Sequence, residues 1–143
     1  MSMELFVILA AGSAPDVTAW NRALSEAHVP MSINVAELPK HYGYLPVVLD
    51  GKKTGFRSFD MESPQELAEH YPTVAKLKVE RPVVFALGYG NASEGAAVFY
   101  SASVLVATFG GIAFEPQGGV LMSREDLLDA AKECQSMAAG ERE

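Results

Sequence analysis

Between Asn91 and Gly111 the chain reads NASEGAAVFYSASVLVATFGG, with Glu94 its only formal charge. A helix that is apolar on nearly every side is either enclosed by protein or surrounded by lipid. The stretch from Glu94 to Phe109, uncharged after Glu94, is 16 residues, short of the roughly 20 apolar residues that a membrane span needs. It also contains Ser101, Ser103, Thr108 and several alanines, while Glu94 suits the positive end of a helix. These features predict a central core helix, capped at Asn91 or Ser93, stopped by Gly110 and Gly111, and covered by its own sheet or by a second chain. The second option makes a homodimer through VFYSASVLVA one candidate assembly. Its small residues suit close packing against a sheet.

A helix of this kind needs a domain around it. At 143 residues, with 49% hydrophobic and 20% charged residues, the chain is long enough to bury a core without disulfides or a structural metal. We read residues 1–143 as a single globular domain, with residues 139–143, AGERE, as a flexible tail. Cys134 is the only cysteine, which excludes an intramolecular disulfide and suits a reducing compartment. Glu4 stands where a signal peptide would carry basic residues, so the first apolar run reads as a strand and the expected location is cytoplasmic. The net charge of −7 repels phosphate backbones and attracts basic partners. Lys52, Lys53 and Arg57 are the only local basic concentration, too little for a nucleic-acid groove. Neither nucleic acid nor membrane is an expected partner.

The rest of the chain alternates strands and helices. Glu4–Ala10 is a continuous apolar run of strand length. Ser13, Pro15 and Asp16 resemble a capping signature, and Val17, Trp20, Leu24 and Ala27 recur at helical spacing until Pro30. MSINVAEL suggests a short strand. LPVVL and GFRSF flank a DGKK turn and read as a hairpin, with Pro46 placing the first arm at an edge or at its own beginning. Ser63, Pro64 and Glu66 open a helix reaching about Tyr71, PTVAKLKVERP is a partly helical connector, and RPVVFALGYG is a second apolar strand. After the central helix, two short strands flank QGG, and Ser123 with Asp126 caps a last helix. The fold class is therefore α+β or α/β: a single-layer mixed sheet with packed helices. A strand-helix-hairpin plan is used twice, over 4–60 and 82–122.

Catalytic motifs are absent. GxSxG, HExxH and GxxxxGK[ST] do not occur, the three histidines lie in different elements without metal-ligand spacing, and Cys134 has no histidine near it in sequence. No catalytic residue, metal or cofactor is expected, and Cys134 reads as a small hydrophobe. Two surfaces remain. HYGYLPVVLDGKKTGFRSFDME combines Tyr42, Tyr44, Phe56 and Phe59 with Asp50, Asp60 and Glu62; aromatic anchors beside carboxylates suit a basic protein, and Tyr44, Asp50, Phe59, Asp60 and Glu62 are the candidate contacts. The same alternation also fits a hairpin whose aromatic groups face their own core. The second surface is an alternative small-molecule pocket near GYGN and FEPQGG, from His41, Tyr89, Glu94 and Glu115, where strand ends meet helix starts.

LFVILAAGSAPDVTAWNRALSEAHVP and GYLPVVLDGKKTGFRSF, with Pro15, Trp20, Gly43 to Pro46, Gly55 and Phe56, resemble a class of small acidic bacterial proteins encoded near interbacterial toxin and immunity genes. The resemblance covers roughly residues 4–60. It implies a bacterial immunity protein that blocks a cognate toxin by covering a basic active site with an acidic face, without catalytic residues of its own. The reading carried forward is thus a protein-binding domain with a basic partner such as a toxin. A small-molecule binder or enzyme, and a structural homodimer, are its alternatives.

Overall fold

The computed structural model describes residues 3–39 and 42–141. The elements in chain order are β1 (Met3–Ala10), α1 (Val17–Glu26), β2 (Met31–Ile33), β3 (Gly43–Leu49), β4 (Lys52–Glu62), α2 (Pro64–His70), α3 (Pro72–Ala75), β5 (Pro82–Tyr89), α4 (Ala92–Ala107), β6 (Ile112–Glu115), β7 (Val120–Met122) and α5 (Arg124–Glu141). The strands form one seven-stranded sheet in the order β2-β3-β4-β5-β1-β6-β7. Every pairing is antiparallel, so the fold is α+β and the parallel pairs implied by a mixed sheet do not form.

The twofold use of one plan is visible in the middle of this sheet. β1 leads through α1 toward β4, β5 leads through α4 to β6, and the central order β4-β5-β1-β6 is that of a β-α-β-β-α-β path. Each half gives a later strand to the other: β4 pairs with β5, and β6 pairs with β1.

Leu5 to Leu9 are all buried, because β1 has helices over both faces. On one face Leu5, Val7 and Leu9 join Trp20, Phe85, Leu87 and the apolar side of α4. On the other, Phe6 and Ile8 meet Val84, Ala86 and Phe114 under Leu67 of α2 and Val74 of α3. α4 is enclosed by the sheet, α1 and α5. Its residues from Glu94 to Leu105 are buried within one chain, which removes the exposed VFYSASVLVA face on which the homodimer depended. Its polar groups find internal partners: Trp20 Nε1 donates to the Ser101 carbonyl at 3.3 Å, the Ser103 hydroxyl to the Tyr100 carbonyl at 2.6 Å, and the Tyr100 hydroxyl to Gln135 Oε1 at 2.8 Å.

Two boundaries differ from the sequence reading. α1 begins at Val17 with Asp16, not Ser13, as its cap, the Asp16 carboxylate accepting from the Ala19 amide at 2.8 Å. Pro15 holds Ala14 extended (φ −67°, ψ 125°), because a residue before proline is disfavoured in the helical region. α5 runs through Ala139 and Gly140, residues assigned to the tail, as far as Glu141.

The β3–β4 hairpin turns at Asp50 and Gly51, both at positive φ (53° and 77°), the conformation that tight hairpins favour. β3 is internal rather than an edge, and Pro46 is tolerated because β2 ends opposite Val47. Further along, Gly43 pairs with Phe59 and Leu45 with Phe56, so β4 carries one extra residue. That bulge puts Phe56 and Phe59 on the same face, where both pack on Trp20 with centroid separations of 6.2 and 6.4 Å.

Candidate functional site

The face of the sheet under α2 and α3 is only partly covered. Alternation along the strands puts Glu4 of β1 on this face with Phe6 and Ile8, while the register sets Asp60 against Ala86 and Glu62 against Val84. Gly88 lies between Glu4 and Ser58, and a Cβ there would stand 2.8 Å from the Ser58 Cβ. This glycine leaves the floor of the face flat between the carboxylates.

Glu62 senses the crowding. Partial burial, then Asp60, Glu4 and Glu66 in turn, raise its carboxyl above the ordinary range. Among the described residues the only ion pair is Arg124–Glu125, at 3.7 Å on α5, so none of these four carboxylates is matched by a cation there. Because the folded chain holds the Glu62 proton to higher pH than the unfolded chain does, this group's contribution to stability is fully present below the ordinary carboxylate range and is lost as pH rises through the folded value. Glu62→Gln is expected to raise the melting temperature at pH 7 and to give no gain near about pH 3, below the ordinary carboxylate values. Melting curves of both proteins at the two pH values test this.

One exposed tyrosine borders the acidic ground, and a second lies further along the hairpin. Tyr42, 73% exposed, receives a hydrogen bond from the Ser58 hydroxyl at 3.2 Å. Tyr44, 53% exposed, lies across Gly55, where a Cβ would overlap its phenol. Burial and then Glu94 raise the Tyr44 pKa, so its hydroxyl stays protonated as a donor.

The structure therefore groups Asp60 and Glu62, leaves Tyr44 against Gly55 with Glu94 as its charged neighbour, and separates the other two sequence candidates from them. Phe59 is fully buried against Trp20 and Phe85; the bulge turns it inward and it cannot touch a partner. Asp50 sits at the far hairpin turn beside Lys52, Ser93 and Gln135, about 20 Å along β3 from Tyr44 at strand rise. Sequence reasoning missed Glu4 and Glu66, which are distant in sequence from the hairpin. Their only signal was charge, since neither belonged to the stretch that held the aromatic groups.

The alternative pocket is less convergent. His41 lies outside the described residues. Glu94 is buried and turned to the helix start, its Oε1 accepting from the Gly90 amide at 2.8 Å while its own amide donates to Asn91 at 2.9 Å. Glu115 closes the β6–β7 turn through the amides of Gln117 and Gly118. Tyr89 does line a cavity of about 300 Å³, with Gly90, Asn91, Cys134 and Met137 among its neighbours. Burial first, then Cys134 and Glu115, push the Tyr89 phenol up to about 12. Burial and then Glu133 raise the Cys134 thiol, opposite to the direction that makes a nucleophile.

Among the described residues no three His, Cys, Asp or Glu side chains group as a metal site, and no helix is long and apolar enough to cross a membrane. The chain matches no family model, no curated protein and no solved structure.

Proposed function

We propose that this is a protein-binding domain that takes a basic protein on the sheet face bearing Glu4, Asp60, Glu62 and Glu66, in the manner of an immunity protein neutralising a bacterial toxin. The observation that carries the reading is the crowding of these four carboxylates, felt at Glu62 and matched by no cation among the described residues. Like charges so placed repel one another in the free protein, and a partner's lysines or arginines would relieve that repulsion on contact. Tyr42 supplies exposed aromatic surface at the margin, the kind of group that carries affinity in protein interfaces. The specific link to toxin immunity rests on the resemblance over residues 4–60. The face itself supports the wider statement, a basic partner.

Capture of partners with the tagged chain tests this. The Asp60→Lys/Glu62→Lys variant reverses the charge at the site, and Asp50→Lys makes a single reversal at the far hairpin turn. A basic protein should co-purify with the parent chain, fall away as salt rises, and be retained at least about tenfold less by the double reversal. Asp50→Lys should keep it. Capture of no basic protein, or equal retention by all three chains, would overturn the reading.

A further inference from the structure

The cavity on the opposite face of the sheet, at the same end of β1 and β5 as Glu4, has a composition that the protein-binding reading does not use. Met3 and Tyr89 are cross-strand partners at the ends of β1 and β5, and α5 passes over them with Cys134 and Met137 three residues apart on one helical face. Met3, Cys134 and Met137 all line the cavity of about 300 Å³. Three of its lining side chains thus carry sulfur, from two elements far apart in sequence. Around them lie Tyr89, Gly90, Asn91 and Ala92, and among the described residues the cavity wall holds no histidine, aspartate or glutamate.

Thiolate and thioether donors favour soft ions such as Cu(I) over hard oxygen-seeking ones. Glu115 lies within electrostatic reach of Tyr89 and Glu133 within reach of Cys134, while the Arg57 guanidinium lies against Gly90 of the cavity wall. Charges of both signs border the cavity, so the choice of ion rests on the sulfur donors.

We propose that Met3, Cys134 and Met137 form a binding site for a soft monovalent cation, Cu(I) being the ion of choice. On binding, the Cys134 thiol gives its proton to solvent and the sulfur takes the copper, with the two thioethers completing the set as neutral donors. No electron is transferred and the ion enters and leaves as Cu(I). Met3 ties the site to the sheet, and Met137, 55% exposed, places it at the surface, where a carrier could deliver the ion. Tyr89 and Ala92 wall the inner side.

The test is titration of the full chain with Cu(I) under anaerobic, reducing conditions against a chromophoric Cu(I) chelator, with Zn(II) as the comparison ion. One Cu(I) per chain is expected, with no competition from equimolar Zn(II). The Met3→Leu/Met137→Leu variant keeps side-chain volume nearly constant, and its melting curve should match the parent's. Its Cu(I) affinity should fall at least tenfold, and Cys134→Ser should lose binding altogether. X-ray absorption of the loaded parent should show three sulfur neighbours, and of the double-leucine variant fewer. Failure of the parent to take copper from the chelator would overturn the proposal. So would unchanged affinity and sulfur count in the double-leucine variant, which would mean a lone thiol acting by itself.

Discussion

Trp20→Ala is expected to lose roughly 3–5 kcal/mol of stability in chemical denaturation and to melt well below the parent. Trp20 is fully buried, and its ring contacts Phe56, Phe59 and Phe85, the last at a centroid separation of 5.7 Å. Removing the indole opens a cavity where α1, the bulged β4 and the central strand β5 meet. It also leaves the Ser101 carbonyl without the indole N–H that reaches it in the interior of α4. A domain of this size has about 5–15 kcal/mol in total, so the loss takes a large share of it. Trp20→Phe, which keeps an aromatic ring but not the hydrogen bond, should recover more than half of the difference. A Trp20→Ala protein melting within a few degrees of the parent would show that the aromatic cluster does not organise this core.

Ala102→Glu in α4 is expected to cost more than about 4 kcal/mol. Ala102 has no exposed surface, and α4 is surrounded by the sheet, α1 and α5. A carboxylate there must either stay ionised in an apolar interior or take up a proton, and both choices oppose folding. Helix propensity is not the cause, since alanine and glutamate both favour helices. Ala139→Glu on the exposed side of α5 makes the control, with an expected change within about 0.5 kcal/mol. Far-ultraviolet circular dichroism and urea unfolding of the two variants separate them. If Ala102→Glu folds as well as the control, α4 is not an enclosed helix.

Much of this architecture could be read from the residues. The low charge of Asn91–Gly111 announced α4 as a covered helix, under its own sheet or a second chain. The caps were legible too: Ser63 accepts from the Glu66 amide at 3.3 Å, and Ser123 and Asp126 exchange bonds at 3.0 and 3.1 Å. Local chemistry of this kind is written within four residues of itself. What could not be read depended on distant pairing. The inward turn of Phe59 follows from one extra residue in β4 relative to β3, a matter of register that alternation within one strand does not reveal. Glu4 joins Asp60 and Glu62 only because β5 lies between β1 and β4. The sulfur cluster was passed over for another reason: metal spacing rules count histidine and cysteine, whereas two of these three donors are methionines, ordinarily read as core.

The exchange of strands between the two halves also sets an order of events during synthesis. β1 leaves the ribosome first, yet its partners are β5 and β6, more than seventy and one hundred residues later. Until Pro82–Tyr89 has emerged, Leu5–Leu9 has no strand beside it, and until Ile112–Glu115 has emerged it has only one. The first half therefore waits, with an apolar strand uncovered, for a pairing of long sequence separation, and such pairings close slowly. For that interval a strand buried on both faces of the finished protein is the segment most open to a chaperone or to another nascent chain.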